Sequence, residues 1–566
     1  MADYIDITNK CTITPAEGTS LTTNGNINII YTDNSSGNTF SVNQSYRVYP
    51  RNEFNRPYTI GKNTTNCVDL FRNCSNFNQP VIIGNNVINT SFMFGACYNF
   101  NENIFIGNSV TDVSQMFGDC TNFNKNLIMS DSIKYASGCM YDCEVFNSYV
   151  KLSNNLIDAS GLFSWCYNFN QSINIPDTTK NLSYFLAGTA FNRPINIPNN
   201  VDDCRYMFYS CSNFNQPINI NNNVKNVQGI IRGCVNYNYP LNFPITLETM
   251  GTSWSAAFIG CSKLNQPISI PNGVTDLGYI FDRCREFNQS ITIPTSVTNV
   301  SRMFGDCTNF NKSVVFLGNN IIDAWGMFSG CKEFDQDLTI PNSCNNISSL
   351  LSGALKYNST LTILNNNIDS YSYMFSRCSN FNQPFVIKSS VNNARYMFDG
   401  CSKLNQPIII ENGVKYISGM LMGCDNYNRE LNIPYSVTHI DWLLYNCNNF
   451  NQKNIFIYAN EIVNSYDAFY TCGSPSIGIM KGPYIHNVYI YSNSFNVRGM
   501  LDASYPAAIT LRWPRINIYC KNFNCLKDLN NICRPGTSSL NPDWNTSVSG
   551  CMFNENFGIY IYNNLI

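Results

Sequence analysis

The chain has 566 residues, with 35 Lys and Arg against 37 Asp and Glu, a net charge of -2, and only 13% charged residues. So weak a field offers no electrostatic footprint for nucleic acid or an anionic membrane. The only histidines, His439 and His486, leave almost no material for a histidine-based triad or metal centre, and no apolar run approaches the roughly 18–20 residues that span a bilayer.

The first residues, MADYIDITNKCTITPAEG, place Asp3 and Asp6 where a secretory signal needs positive charge, and no apolar stretch follows. Sec-dependent export is therefore not expected. Residues 1–50 alternate apolar and polar side chains between Gly and Asn turns, as in NGNINIIYTDNSSGNTFSVNQSYRVYP. That pattern predicts a small β-rich N-terminal cap or attachment domain, which a solenoid needs to cover its first coil.

Residues 51–472 repeat. Aligned on Cys-x-x-Phe-Asn, the cysteine recurs from Cys74 to Cys447, and weakly at Cys472, mostly in steps of 23 residues. Gly188 and Ala354 stand in for it twice, and an incomplete unit opens at Arg51 with Phe54-Asn55. Apolar residues fall at offsets 0, 3, 7, 9, 13, 16, 19 and 20 from the cysteine. Offsets 7 and 9 alternate like a strand, so Ile173/Ile175, Ile218/Ile220, Ile291/Ile293 and Ile408/Ile410 point inward. Met-Phe pairs at offsets 19 and 20, such as Met116-Phe117, Met303-Phe304 and Met397-Phe398, close the opposite wall. A unit this short cannot bury two walls alone and must stack on its neighbours. The fold class expected is a repeat solenoid with one long parallel β-sheet, 18–19 coils at ~4.8 Å each, about 90 Å in all. Pro at offset 6 (Pro80, Pro217, Pro267, Pro407) marks the strand start, because a proline lacks the N–H that a strand interior uses.

Residues 473–566 keep strand-like VYIY, INIY and IYIY segments and the pairs Phe495-Asn496 and Phe523-Asn524, but lose the period. Irregular C-terminal coils or a capping β region are expected there.

The chemistry-bearing residues are sparse. The in-phase cysteines read as reduced core thiols, since a core cysteine behaves as a small hydrophobe. Cys520, Cys525, Cys533 and Cys551 have spacings that match no usual zinc site. No metal or cofactor is expected. The outward strand position, offset 8, carries no acid. Among the flanking outward positions Asp337 and Glu430 lie four coils apart, ~19 Å, and Glu411 and Glu430 ~13 Å apart. These separations do not suit the ~5–9.5 Å carboxylate pair of a glycoside hydrolase, so no catalytic residue is expected. Offset 8 instead presents a polar stripe, Asn174, Asn196, Asn219, Asn242, Ser269 and Thr292. Its amides and hydroxyls either hold a ligand laid along the sheet or satisfy one another as a ladder. Apolar residues flank it, Ile82, Phe105 and Ile128 at one end and Val386, Ile409 and Phe456 at the other, and contiguous exposed apolar surface usually marks an interface. The Asn at offset 4 (Asn78, Asn101, Asn124, Asn215, Asn311, Asn382) is expected to hydrogen-bond the backbone of the next coil.

The pattern FNQPIxIPxxV…MFxxC resembles the BspA-like leucine-rich repeat of bacteria and the mycoplasma-lipoprotein repeat, and less closely the FNIP repeat of amoebae and giant viruses. The resemblance spans about residues 51–472, with Phe where those repeats place Leu or Ile at offset 3. It implies a leucine-rich-repeat solenoid used for adhesion and recognition, with no catalytic residues to carry over. The expected function is non-enzymatic recognition of a surface glycan or protein of a host cell, or contact with other virion proteins, without nucleic-acid binding or membrane insertion. Many buried free thiols suit folding in a reducing cytosol, which favours a phage virion component, a tail or host-recognition protein. A bacterial surface adhesin and a purely structural virion or envelope scaffold are the alternatives.

Overall fold

The computed structural model describes residues 51–221, 223–241 and 256–450, several positions between 452 and 468, and, beyond these, strand segments alone at 11–14, 25–33, 39–46, 487–492, 494–495, 515–520, 545–546, 551–554 and 559–563. The described chain winds into about 16 turns of about 23 residues. It is a repeat solenoid, as the periodicity requires, and it contains almost no helix.

Inward alternation at offsets 7 and 9 holds throughout. Ile173, Ile175, Ile218, Ile220, Ile291, Ile293, Ile408 and Ile410 are all buried, and the residue between each pair is exposed. The sheet itself is shorter and more broken than expected. Parallel strands of two or three residues pair coil to coil in separate sets, for example Val81–Ile82 with Ile104–Phe105, Ile291–Ile293 with Val314–Phe316, and Phe385–Ile387 with Ile408–Ile410. Between Lys151 and Ile291 the described residues contain no strand. Prolines flank those segments, as at Pro176, Pro217 and Pro267, but Pro294, Pro384 and Pro407 equally flank segments that do pair, so proline alone does not decide where strands form. Towards the other end a longer parallel ladder forms, running through 432–433, 454–458, 487–492, 515–520 and 559–563. Antiparallel strands at 551–554 and 545–546 finish that sheet, and an antiparallel sheet of 11–14, 25–33 and 39–46 occupies the N-terminal region.

The denser backbone ladder lies on the other wall. At offset 15, single bridges run Asn66↔Asn89↔Asp112↔Tyr135↔Asp158↔Asn181 and onward. From there every second amide donates to the next coil, as in Cys67 N to Asn89 O (2.9 Å), Phe71 N to Met93 O (2.8 Å) and Asn73 N to Gly95 O (2.7 Å). The alternate amides close tight turns, Leu70 N to Cys67 O and Cys74 N to Phe71 O. Two of these turns per coil have positive φ at their third residue, Phe92 (55°) and Ala96 (58°) in one coil, Gln115 (54°) and Asp119 (61°) in the next. That is the signature of a type II turn. The Asx side chain at offset 15 accepts from the amide two residues on, as with Ser114 N to Asp112 Oδ1 (2.9 Å) and Ser160 N to Asp158 Oδ1 (2.9 Å). Asn and Asp form such local turns readily, which accounts for their recurrence at this offset.

Between the walls, rings stack along the axis. The offset-3 row Phe77, Phe100, Phe123, Phe146, Phe169 has centroid spacings of 5.6–6.1 Å, and it packs 4.3 Å from the offset-20 row within a coil, as in Phe94–Phe100. Burial of each such ring contributes about 1.5–3 kcal/mol, which is why Phe in place of Leu leaves the architecture intact. The cysteine thiols are free and buried. Those at the repeat position from Cys97 to Cys447 donate to the carbonyl of an offset-20 residue about 26 positions earlier, Cys97 Sγ to Phe71 O at 3.0 Å and Cys120 Sγ to Phe94 O at 3.1 Å.

One register expectation is corrected. Thr189, not Gly188, takes the cysteine place in its coil: its Oγ1 donates to Leu186 O at 2.7 Å and lies 3.4 Å from Cys211 Sγ. Gly188, at φ 74°, matches the positive-φ residue ahead of each cysteine. The coil is one residue short between Thr189 and Phe191, so counting back from Phe-Asn lands one position early. Ala354 does occupy the cysteine place, with its amide bonded to Leu351 O.

Candidate recognition surfaces

The strand wall presents the outward offset-8 row. Asn174, Asn196, Asn219, Ser269 and Thr292 are exposed, and their side chains hydrogen-bond no described residue. Asn242 lies outside the described residues. The amide ladder runs at offset 4 instead. Asn78 Oδ1 accepts from Asn101 N (2.9 Å), Asn101 Oδ1 from Asn124 N (2.9 Å), Asn124 Oδ1 from Asn147 N (2.9 Å), and the series continues to Asn405 Oδ1 with Asn428 N (3.1 Å).

The flanking apolar residues are open to solvent. Ile82, Phe105 and Ile128 are 75%, 60% and 57% exposed, on three successive coils, with Ile82 paired in register to Phe105. At the other end Val386 pairs with Ile409, both exposed. Phe456 is half-buried, its ring parallel to that of Tyr458 at 6.2 Å. Leu317 and Leu364, at offset 10, extend the exposed apolar surface beyond the offset-8 row.

The three acids near this wall have backbone duties or stand alone. Asp337 Oδ1 accepts from Thr360 N (2.8 Å) and Glu411 Oε2 from Ser389 N (2.8 Å), while Glu430 is simply exposed. The most buried carboxylate, Asp282, sits elsewhere. Burial raises its pKa, and Arg302, whose Nη2 is 2.8 Å from Asp282 Oδ1 and 2.9 Å from Asp306 Oδ2, opposes that rise. This triad pins adjacent coils. His439 Nδ1 lies 2.8 Å from Thr438 Oγ1, and burial and then the Arg395 charge lower its pKa. Among the described residues no group of three His, Cys, Asp or Glu side chains could hold a metal ion. His486, Cys525 and Cys533, and the side chains of Cys520 and Cys551, fall outside the described residues.

A surface that the spacing of apolar residues does not reveal lies on the turn wall. There Tyr184 stacks on Tyr206 (4.9 Å), Tyr206 meets Tyr209 edge-on (5.9 Å), and Trp165 meets Tyr209 edge-on (6.0 Å). The Arg232 guanidinium lies over Tyr209, 5.8 Å from its centroid. A second group has Tyr373 on Tyr396 (5.0 Å), Tyr396 facing Trp442 (6.5 Å), and Arg395 4.5 Å over Tyr416. The stacked residues occupy offset 18, where Asp, Phe, Gln, Gly, Tyr, Arg and Trp all occur. No hydrophobic periodicity marks such a position, although the dipeptides Ser183-Tyr184, Arg205-Tyr206, Ser372-Tyr373 and Arg395-Tyr396 are visible once the coils are aligned.

Tandem matches to one repeat family cover residues 57–152, 140–243, 250–342, 326–433 and 385–476. The chain belongs to the family described as Mycoplasma protein of unknown function, DUF285. These matches run through the coils between residues 57 and 476, and successive ones, except the second and third, overlap, as expected where one coil is much like the next. Among solved structures the DUF285 chain is similar to a leucine-rich repeat protein from Bacteroides ovatus ATCC 8483, with 15% identity and a TM-score of 0.29 over 84% of this chain and 94% of that one. It is also similar to a leucine-rich repeat protein from Eubacterium ventriosum ATCC 27560, with 16% identity and a TM-score of 0.27 over 71% of this chain and 84% of that one. No curated protein matches.

Proposed function

We propose that this DUF285 chain is a non-enzymatic recognition solenoid that docks a protein partner on its strand wall. Solenoids of this type generally bind proteins. The observation that carries the reading is the run of Ile82, Phe105 and Ile128, more than half exposed on three adjacent coils, where a core-forming residue would be wasted without a partner. The exposed stripe of Asn174, Asn196, Asn219, Ser269 and Thr292 supplies hydrogen-bonding groups beside it. A non-catalytic role is supported by the offset-8 row, which carries no acid, and by the backbone bonds that engage Asp337 and Glu411. The buried free thiols support folding in a reducing compartment. A phage virion component that contacts the host surface satisfies both conditions, since it is assembled in the bacterial cytoplasm and released by lysis.

The test is binding of the purified protein to host cells, with Phe105→Asp as the variant. Loss of a central apolar anchor costs about 2 kcal/mol of binding, so cell-surface binding is expected to fall ~30-fold with the melting temperature unchanged. Undiminished binding by Phe105→Asp, or release of reducing ends from host polysaccharide by the wild-type protein, would overturn the reading.

A further inference from the structure

The turn wall carries one three-coil constellation twice. In the first copy Ser183-Tyr184, Arg205-Tyr206 and Gln228-Gly229 stand at matching positions of successive coils; in the second, Ser372-Tyr373, Arg395-Tyr396 and Ser418-Gly419 do. Both stacks have the same geometry, 4.9 Å and 21° for Tyr184–Tyr206 and 5.0 Å and 14° for Tyr373–Tyr396. All four tyrosines have positive φ, 56°, 53°, 56° and 52°. The second ring of each pair lies flat on the glycine of the following coil: a Cβ on Gly229 would come within 2.3 Å of Tyr206 Cε1, and one on Gly419 within 2.3 Å of Tyr396 Cε1. Each pair is thereby held as a block that leans towards the C-terminus.

That lean leaves the other face of the first ring uncovered. The coil before Tyr184 offers Gly161, where even an added Cβ would meet only Gly138 and Ser164 atoms, at 3.9 Å. The coil before Tyr373 offers Ser349. Tyr184 and Tyr373 remain 42% and 43% exposed. An arginine stands behind each block, on the side away from the open face: Arg232, in the coil of Gly229, over Tyr209, and Arg395 reaching over Tyr416 in the coil of Gly419. The two open rings are about eight coils apart, or ~38 Å at ~4.8 Å per coil.

We propose that Tyr184 and Tyr373 are twin platforms for the sugar rings of a polysaccharide. A pyranose turns one face of C–H bonds, with electropositive hydrogens, to its surroundings, and the negative face of an aromatic ring is complementary to it. Duplication selects the ligand class. A folded protein seldom repeats one epitope at a fixed interval, whereas a polymer of identical units does so by construction, and two linked sites bind it far more tightly than one. This surface is on a different wall from Ile82, Phe105 and Ile128, so it stands or falls independently of the protein-docking reading.

The probe is a printed array of defined glycans and purified bacterial capsular polysaccharides, applied to the full chain. Wild type is expected to bind at least one polysaccharide. Tyr184→Ala and Tyr373→Ala should each lower apparent affinity ~10-fold or more through lost avidity, and the double variant should reach background. The paired Tyr→Phe variant, which keeps both ring faces, should stay within ~3-fold, and Phe105→Asp should bind as wild type. Should the alanine variants fold poorly, the pair Tyr184→Gln and Tyr373→Gln, using the residue that Gln115 already places at this offset with φ 54°, is expected to weaken binding by a similar factor. The proposal is overturned if wild type binds nothing on the array, if the folded double alanine variant or the glutamine pair retains full binding, or if the phenylalanine pair loses it.

Discussion

One amide per coil does two jobs for its successor. Asn192 Oδ1 accepts from Asn215 N at 3.0 Å and from Gln216 Nε2 at 3.1 Å. Asn192→Leu would leave a half-buried N–H unsatisfied, and the chain should lose about 1–3 kcal/mol in urea denaturation. Asn192→Asp keeps the acceptor and should cost far less, because Asp335 already fills the same role, accepting from Asn358 N and Ser359 Oγ at 2.8 Å each. Equal stability of the Leu and Asp variants would refute the ladder's importance. The reverse situation holds where Tyr replaces Phe at offset 3. The hydroxyls of Tyr237, Tyr357 and Tyr427 are buried with no hydrogen-bond partner among the described residues. Tyr237→Phe keeps the ring stack with Phe214, 6.0 Å away, and removes a desolvated polar atom. It should raise the denaturation midpoint, by about 1 kcal/mol in stability; a lowered midpoint would mean that the hydroxyl is in fact satisfied.

At the scale of one turn, glycines at offset 18 separate two costs that are usually entangled. Gly161 and Gly419 have nearly the same φ, 58° and 62°. An added Cβ at Gly161 finds open space, while at Gly419 it collides with the Tyr396 ring. Gly161→Ala should therefore cost only the left-handed backbone penalty, about 1 kcal/mol, which Ala256 at φ 65° already bears in its own coil. Gly419→Ala should cost about 1–3 kcal/mol more, the range for overpacking. Thermal melts of the two variants decide the matter, and equal losses would mean that the stack on Gly419 is loose.

Across the whole molecule the thiols add up. Burial raises the pKa of one coil cysteine after another, Cys211 to about 11 and Cys344 to about 11, with Cys234 and Cys284 held well above the ordinary thiol range. A thiol in the unfolded chain titrates near 8.5. Below that pH both states keep the proton and the stabilisation is complete. As pH rises above ~8.5 the unfolded chain releases protons that the folded chain retains, so stability falls by about 1.4 kcal/mol per pH unit for each such thiol. With the loss repeated along the stack, the melting temperature should drop by ~10 °C or more between pH 8 and pH 10, and a thiol reagent should label the core only as the fold opens. A flat melting temperature over that range would contradict the burial of the cysteines.

A 23-residue period, its inward offsets and its outward row are properties of spacing, and spacing is written in the order of residues along the chain. The solenoid, the buried Ile and Met-Phe pairs, the offset-4 amide ladder and the exposed Ile82, Phe105 and Ile128 are all legible there for that reason. Three features are not. Thr189 takes the cysteine place because a deletion shifts backbone hydrogen bonds without shifting the Phe-Asn landmark. Strand pairing is patchy although the strand offsets repeat, since proline-flanked segments pair in some coils, as at Phe385–Ile387 and Ile408–Ile410, and not in others. The aromatic blocks of the turn wall arise where residues about 22 or 23 positions apart meet face to face over a glycine. Side-chain identity at that offset varies freely, so it takes the stacking of coils to make one surface of Tyr184 and Tyr206, or of Tyr373 and Tyr396.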